Sequence, residues 1–349
     1  MNFHKDSLIE FADFSTSSFD LLETDVAIVG AGVAGLYSAY CCGLSGIDCL
    51  LIESLMLPGG QCSTLYPEKK MYGTPGYIDI KAKDFVENLT SQCLSHSPKK
   101  LFGHKVENIL KTPDDRFILK AQNTQSEKEI NISARYVVLT TGIGNMKPNI
   151  PATISGLDKI DKTSDFIHHC CMNLSLFKGK DVIIAGGGDS AVDFAINISA
   201  VAKSVTIIHR RLKFTCEPVK LNDIDVLEKS GKIKLILEHN ISELKEENGK
   251  RTIKTIDKDS KETVFETDHI IFCYGFAASA GSLFGLENFG LKTDNNLLNV
   301  DIDTMETSVK NCYAAGDVVT YTNKKKSVVP CFFEADRLVR SIKNRMSRV

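Results

Sequence analysis

The stretch Asp25-Val26-Ala27-Ile28-Val29-Gly30-Ala31-Gly32-Val33-Ala34-Gly35 decides the fold. Its first five residues form a short β-favouring run of the kind buried on both faces of a parallel sheet. A G-x-G-x-x-G turn follows at Gly30, Gly32 and Gly35, and Leu36 to Leu44 then carries small and apolar residues suited to a helix packed on that sheet. A second β-like run, Cys49-Leu50-Leu51-Ile52, ends at Glu53. In this context each glycine has its own task. The first permits a tight turn, the second lets backbone approach a pyrophosphate, and the third allows close helix packing, while the helix N-terminus attracts phosphate charge. Glu53, 18 residues after Gly35, is then placed to accept hydrogen bonds from a ribose 2′-hydroxyl.

The pattern recurs. Asp181-Val182-Ile183-Ile184-Ala185 leads into Gly186-Gly187-Gly188-Asp189-Ser190-Ala191, a helical run from Val192 to Ala202, and the strand Val205-Thr206-Ile207-Ile208. From Ala191 to His209 is again 18 residues, so the two units share a register and His209 stands where Glu53 stands in the first. The acid is replaced by His209-Arg210-Arg211, which reverses the charge offered to the ribose and suits a 2′-phosphate. Two dinucleotide sites of opposite preference are implied, the second for NADPH. With no C-x-x-C, no metal-ligand spacing and no nucleophile triad in the chain, hydride transfer to a flavin follows, the ring carrying the electrons and the protein supplying position and electrostatics.

The chain is 349 residues long, which anticipates two mid-sized domains, and 43% hydrophobic with 25% charged residues is ordinary globular usage. Lys plus Arg number 42 against 44 Asp plus Glu, so no chain-wide basic field exists to hold nucleic acid or an anionic membrane. Eleven scattered cysteines do not make a secreted disulfide framework, and residues 1–24 lack the apolar block of a secretory signal, so a cytoplasmic location is expected. Val26 to Ile47 is uncharged for 22 residues, yet its five glycines argue against a membrane span. Val106 to Ala134 alternates β-like runs with turns and ends in Tyr136-Val137-Val138-Leu139-Thr140-Thr141-Gly142, a motif echoed by Ile270-Ile271-Phe272-Cys273-Tyr274-Gly275. The run Asn311-Cys312-Tyr313-Ala314-Ala315-Gly316-Asp317 and a final helix have no glycine-rich start of their own and must complete the first unit. The expected fold is therefore α/β, with two Rossmann-like dinucleotide-binding domains. An N-terminal leader (1–24) precedes a discontinuous FAD domain (25–150 and 277–349), into which an NADP domain (151–276) is inserted.

From Asp25 to about Arg340 the chain resembles the two-dinucleotide flavoprotein disulfide reductases, and specifically the thioredoxin-reductase-like ferredoxin-NADP reductases. The most specific pieces are Gly59-Gly60-Gln61 with Leu65-Tyr66-Pro67-Glu68-Lys69, then Gly187-Gly188-Asp189-Ser190-Ala191-Val192-Asp193, Ile208-His209-Arg210-Arg211, and Ala314-Ala315-Gly316-Asp317. The resemblance implies that Glu53 binds the FAD ribose, that Gln61 lies near the isoalloxazine ring, and that Tyr66 stacks on one ring face. It also implies that Asp317, in a glycine turn at a helix start, meets the ribityl and pyrophosphate part, and that Val106 and Met146 touch FAD. A homodimer with ferredoxin as its partner is expected.

Thioredoxin reductases of this size carry a C-x-x-C before the second nucleotide strand, where this chain reads His168-His169-Cys170-Cys171-Met172-Asn173. Adjacent cysteines strain the peptide between them, so Cys170 and Cys171 read as core or linker residues and electrons must leave by another route, to or from an iron-sulfur protein. The sequence departs from the family pattern at Thr215, where a further arginine often stands, and at Pro330-Cys331-Phe332-Phe333, usually glycine-containing. Eight basic residues from Lys324 to Arg348 suggest a segment that steers an acidic partner. A thioredoxin-type reductase with another acceptor and a non-catalytic flavin redox sensor remain as alternatives.

Overall fold

A computed structural model describes residues 21–144, 147–160, 163–170, 173–216, 218–277 and 285–348. Strand β1 (Leu21–Val29) runs into helix α1 (Val33–Leu44), β2 (Cys49–Glu53), the single-turn helix α2 (Gln61–Thr64), helix α3 (Ala82–Leu94) and β3 (Lys99–Phe102). An antiparallel meander follows, made of β4 (His104–Lys111), β5 (Phe117–Asn123) and β6 (Glu129–Leu139). The second unit comprises β7 (Ile167–His168), β8 (Asp181–Ala185), α4 (Asp189–Ser199), β9 (Ser204–His209), α5 (Pro218–Lys229) and β10 (Ile233–Leu237). Three antiparallel strands, β11 (His239–Glu247), β12 (Lys250–Asp257) and β13 (Glu262–Glu266), lead to β14 (His269–Phe272). Finally β15 (Cys312–Ala314) and α6 (Val328–Met346) close the chain.

Two larger sheets organise these elements. The first has the order β3-β2-β1-β6-β5-β4, with β15 also paired to β6. Its nucleotide-fold part, β3-β2-β1-β6-β15, is parallel throughout. The second, β7-β14-β8-β9-β10, is wholly parallel. Parallel strands covered on both faces must be apolar along their length, and Val26 to Val29, Leu50 to Ile52, Val137 to Leu139 and Val182 to Ala185 are all buried. The run after residue 276 does return to the first sheet, since Cys312, Tyr313 and Ala314 pair with Val137, Val138 and Leu139. β1 starts at Leu21, inside the stretch expected to be a leader, because Leu21 to Thr24 pair in parallel with Asn131 to Ala134.

The helices seat on these sheets by residue size. Helix α1 has Gly35 where it crosses the end of β1, and a Cβ there would fall 1.8 Å from the Gly30 carbonyl oxygen. Helix α6 buries Cys331, Glu334, Ala335, Leu338, Val339 and Ile342, a stripe at helical spacing, and its Phe332 ring meets the Tyr37 ring of α1 edge to face at 4.6 Å. No helix among the described residues is long and apolar enough to cross a membrane. Helix propensity alone favours Ala over Gly by about 1 kcal/mol. Yet Gly35→Ala is expected to lower stability by about 1–3 kcal/mol, because backbone rather than a flexible side chain occupies the space. Urea denaturation checks the sign, and a raised midpoint would contradict the contact.

Candidate functional site

The first cleft, about 440 Å³, opens where the parallel strands of the first sheet end. Gly30 turns the chain with φ +105°, and a Cβ there would meet the Thr140 carbonyl oxygen at 2.6 Å. Gly32 then caps α1 without a side-chain hydrogen bond, and the first turn holds no acid, so the helix turns its N–H groups and positive dipole end toward the cleft. Glu53 is 8% exposed. Its carboxylate accepts from the Ala31 N–H at 2.7 Å, from the Ser54 hydroxyl at 2.9 Å and from the Leu55 N–H at 3.0 Å. It thus clamps the glycine turn while bordering the cleft.

The opposite wall is built by distant segments. The Gly59 N–H donates to the Ala31 carbonyl at 2.8 Å, and Gly60 packs so closely that its Cβ would lie 3.0 Å from the Gly32 Cα. Gln61 Nε2 donates to Asp317 Oδ2 at 3.0 Å, across 256 residues of chain. Tyr66 and the buried Val106 also border the cleft. Burial, aided by the neighbouring Cys62 and Asp317, pushes the Tyr66 hydroxyl up, so it stays protonated.

Gly30, Gly32, Glu53, Gln61, Tyr66, Val106 and Asp317 are therefore brought together, whereas Gly35 serves packing. Met146 lies outside the described residues. Asp317 is not at a helix start: it precedes the two-residue strand Val319–Thr320, and α6 begins only at Val328. Sequence reading missed Thr140, whose hydroxyl donates to the Gly30 carbonyl at 2.8 Å, and the uncapped N-terminus of α6, where Lys326, Ser327 and Val328 line the cleft. The Thr140-Thr141-Gly142 turn was the available signal for Thr140; nothing local marks Ser327.

The second cleft, about 950 Å³, occupies the equivalent position on the second sheet and is bordered by Gly186, Gly188, Asp189, Ser190, His209, Arg210 and Arg211. Gly186 has φ +144°, with its Cβ position 2.7 Å from the Cys273 carbonyl oxygen. Ala191 is fully buried in α4 and does not itself border the cleft. The His209 ring is pressed under the loop, where a Cβ on Gly187 would overlap it at 2.4 Å, and it stacks on Phe214 at 5.6 Å. Burial lowers its pKa, with Arg211 and Arg210 adding to the effect, so His209 offers shape rather than charge. Arg210 and Arg211 are exposed and bring the positive charge. Thr215 holds the loop instead of offering a cation, its N–H donating to the Gly187 carbonyl at 2.8 Å. Behind the loop, Lys220 lies between Asp189 and Asp193 at 2.9 and 3.0 Å, and Asp193 also pairs at 2.8 Å with Lys69 from the segment that carries Tyr66.

Two glycine-turn clefts at the carboxyl ends of the parallel strands of two sheets define a protein with paired Rossmann-type units. A family model described as pyridine nucleotide-disulphide oxidoreductase matches residues 24–338, and the chain belongs to that family. Among curated proteins it is 36% identical over 322 residues to a ferredoxin–NADP reductase of Paramagnetospirillum magneticum, covering 91% of this chain and 92% of that one. It is 34% identical over 314 residues to a ferredoxin–NADP reductase of Ehrlichia canis, covering 89% of each. Among solved structures, the thioredoxin reductase of T. acidophilum superposes with a TM-score of 0.78 at 24% identity, over 93% of this chain and 99% of that one, a likeness of fold.

Two thiols also border the first cleft, those of Cys62 and Cys331. Burial pushes them up to about 11 and about 12 respectively. Half-buried Cys170 packs beside the second core, its thiol also pushed up by burial, while Cys171 lies outside the described residues. At pH 8 the thiolate fraction of Cys62 and Cys331 is on the order of one in a thousand or less. A thiol-specific reagent is therefore expected to leave both unmodified in the folded protein and to label them on unfolding. Mass mapping reads the result, and labelling of either within minutes would contradict the assigned environments.

Proposed function

We propose that this protein is an FAD-dependent oxidoreductase that transfers electrons between NADPH and ferredoxin. The observation that carries the reading is the pair of clefts, alike in backbone and opposite in charge, with Glu53 in one and, just after the matching His209, Arg210 and Arg211 in the other. The first cleft suits FAD. Uncapped helix N-termini from α1 and α6 suit an anionic pyrophosphate, and Gly60 lies so close to Gly32 that a Cβ on it would come within 3.0 Å of the Gly32 Cα. When bound, the flavin supplies the exchange between a two-electron hydride and single electrons.

The remaining work falls to the chain. Glu53 holds the adenosine ribose, Tyr66 packs against the ring with Gln61 near it, and Asp317, to which Gln61 donates, meets the ribityl and pyrophosphate part. In the second cleft the loop Gly186–Ala191 seats the NADPH pyrophosphate, with Gly186, Gly188, Asp189 and Ser190 bordering the cleft, His209 beneath, and Arg210 and Arg211 on the 2′-phosphate. We take residues 151–276 as the NADP domain inserted between the FAD segments 25–150 and 277–349. A cytoplasmic homodimer completes the reading, and free cysteines such as Cys41, Cys42, Cys49 and Cys312 fit a reducing compartment.

The name of the relatives supports ferredoxin as partner. The basic tail, however, is less available than a count of charges suggests. Lys324 turns inward to Glu334, Arg337 pairs with Asp303, Arg340 with Asp336, and Arg345 with Glu306. Exposed Lys326 borders the first cleft, with exposed Lys325 next to it in the chain, and the two are better placed to steer an acidic protein toward it.

Charge-assisted hydrogen bonds are worth about 1.5–3 kcal/mol, so replacing Arg210 and Arg211 with Ala should raise the KM for NADPH tens-fold or more and leave that for NADH within about twofold. Equal changes for both coenzymes would argue against the assigned phosphate site. Neutralising Lys325 and Lys326 should slow the ferredoxin-dependent rate several-fold at low salt and less at high salt. An absorbance spectrum tests the whole reading: the purified protein should be yellow, and its colour should bleach on anaerobic addition of NADPH.

A further inference from the structure

Glu334 is a fully buried carboxylate in the second turn of α6. Burying a charge costs several kcal/mol unless partners compensate, and here the partners all belong to one loop. Glu334 Oε2 accepts from the Gly316 N–H at 2.7 Å. Its Oε1 accepts from the Tyr321 hydroxyl at 2.7 Å and from the Lys324 ammonium. Lys324 is itself only 6% exposed along its side chain, with its ammonium 5.4 Å from the centre of the Tyr321 ring. Burial, and then the hydrogen bond to Glu334, push the Tyr321 hydroxyl up, which keeps it a donor.

One carboxylate thus fastens the loop between β15 and α6 at its start, middle and later part. That same loop carries Gly316, Asp317, Lys326 and Ser327 to the wall of the first cleft. Its starting point has no slack: Gly316 has φ +87°, and a Cβ there would lie 3.0 Å from the Ala34 Cβ in the first turn of α1. A shift of Gly316 would move Asp317 away from Gln61, which it meets at 3.0 Å. Buried ion pairs are poor sources of net stability, since apolar replacements of both partners are often neutral or stabilising. A directional charged bond to a backbone N–H does, however, specify where that backbone sits.

We propose that Glu334 and Lys324 are positioning residues that preform the Asp317 wall of the first cleft before FAD arrives, an inference that rests on the FAD reading of that cleft. Neither side chain need touch the cofactor. Their task is to hold the loop in its binding shape, so that FAD does not bear the cost of ordering it.

The test compares wild type with Glu334→Gln, Lys324→Met, the double variant and Tyr321→Phe. In the flavin-free protein, hydrogen exchange at the Gly316 amide should accelerate at least about tenfold in each charge-breaking single variant, while the amides of Val137 to Leu139 keep their protection. The Kd for FAD, followed by flavin fluorescence, should rise by about the same factor. The double variant leaves no unpaired charge and retains an acceptor for Gly316, so both readouts should return to within about threefold of wild type. Tyr321→Phe removes one neutral donor and should weaken FAD binding roughly threefold, which decides the matter if the single charge variants do not fold. Folded variants with wild-type exchange and wild-type Kd would overturn the proposal, as would a lower melting temperature with an unchanged Kd. A double variant no better than the worse single would remove the pairing. Wild-type protein that takes up no FAD would sink the FAD reading and this inference with it, whereas normal uptake by wild type and variants alike would remove this inference alone.

Discussion

Everything in this molecule depends on how closely a turn can approach the backbone of a neighbouring strand's end. At Gly30 the space for a side chain is taken by the Thr140 carbonyl, and at Gly186 by that of Cys273, at 2.6 and 2.7 Å from where a Cβ would stand. These carbonyls follow β6 and β14, the strands that flank β1 and β8. The same steric limit is thus met twice, and it aims the N-termini of α1 and α4 at the carboxyl ends of their sheets, where a phosphate can sit on free N–H groups.

On that shared backbone the two clefts diverge through a few side chains. In the first, Glu53 spends part of its hydrogen-bonding capacity on the turn itself, through the Ala31 N–H. In the second, the buried His209 ring fills the corresponding corner by packing against Gly187 and Phe214, which leaves the exposed Arg210 and Arg211 to bring positive charge to the cleft. Charge and shape are handled by one residue on one side and divided among three on the other.

The elements that repeat locally were legible in the sequence. Matched 18-residue spacings, glycine turns and apolar runs announced both units and the register between them. What could not be read was whatever depends on segments far apart in the chain. Gln61 and Asp317 find each other across 256 residues, and no local pattern encodes that hydrogen bond. Lys324 looked like one more surface cation in a basic run, but a carboxylate one face of α6 away draws it inside. The start of β1 at Leu21 was hidden for a similar reason, since Leu21 to Thr24 are held in place by partners more than a hundred residues later.

The shared edge of β6 has a consequence for the order in which the chain can assemble on the ribosome. Its first half pairs with β5, made just before it, but the edge of Val137 to Leu139 waits for Cys312 to Ala314. Strands β7 to β14 and their helices all lie between these two events. During translation the inserted unit has its full set of strands while the surrounding sheet still exposes an incomplete apolar edge. Such an edge invites pairing with other nascent chains. The strand Cys312–Ala314 therefore acts as the closing seam of a sheet begun by the first strand.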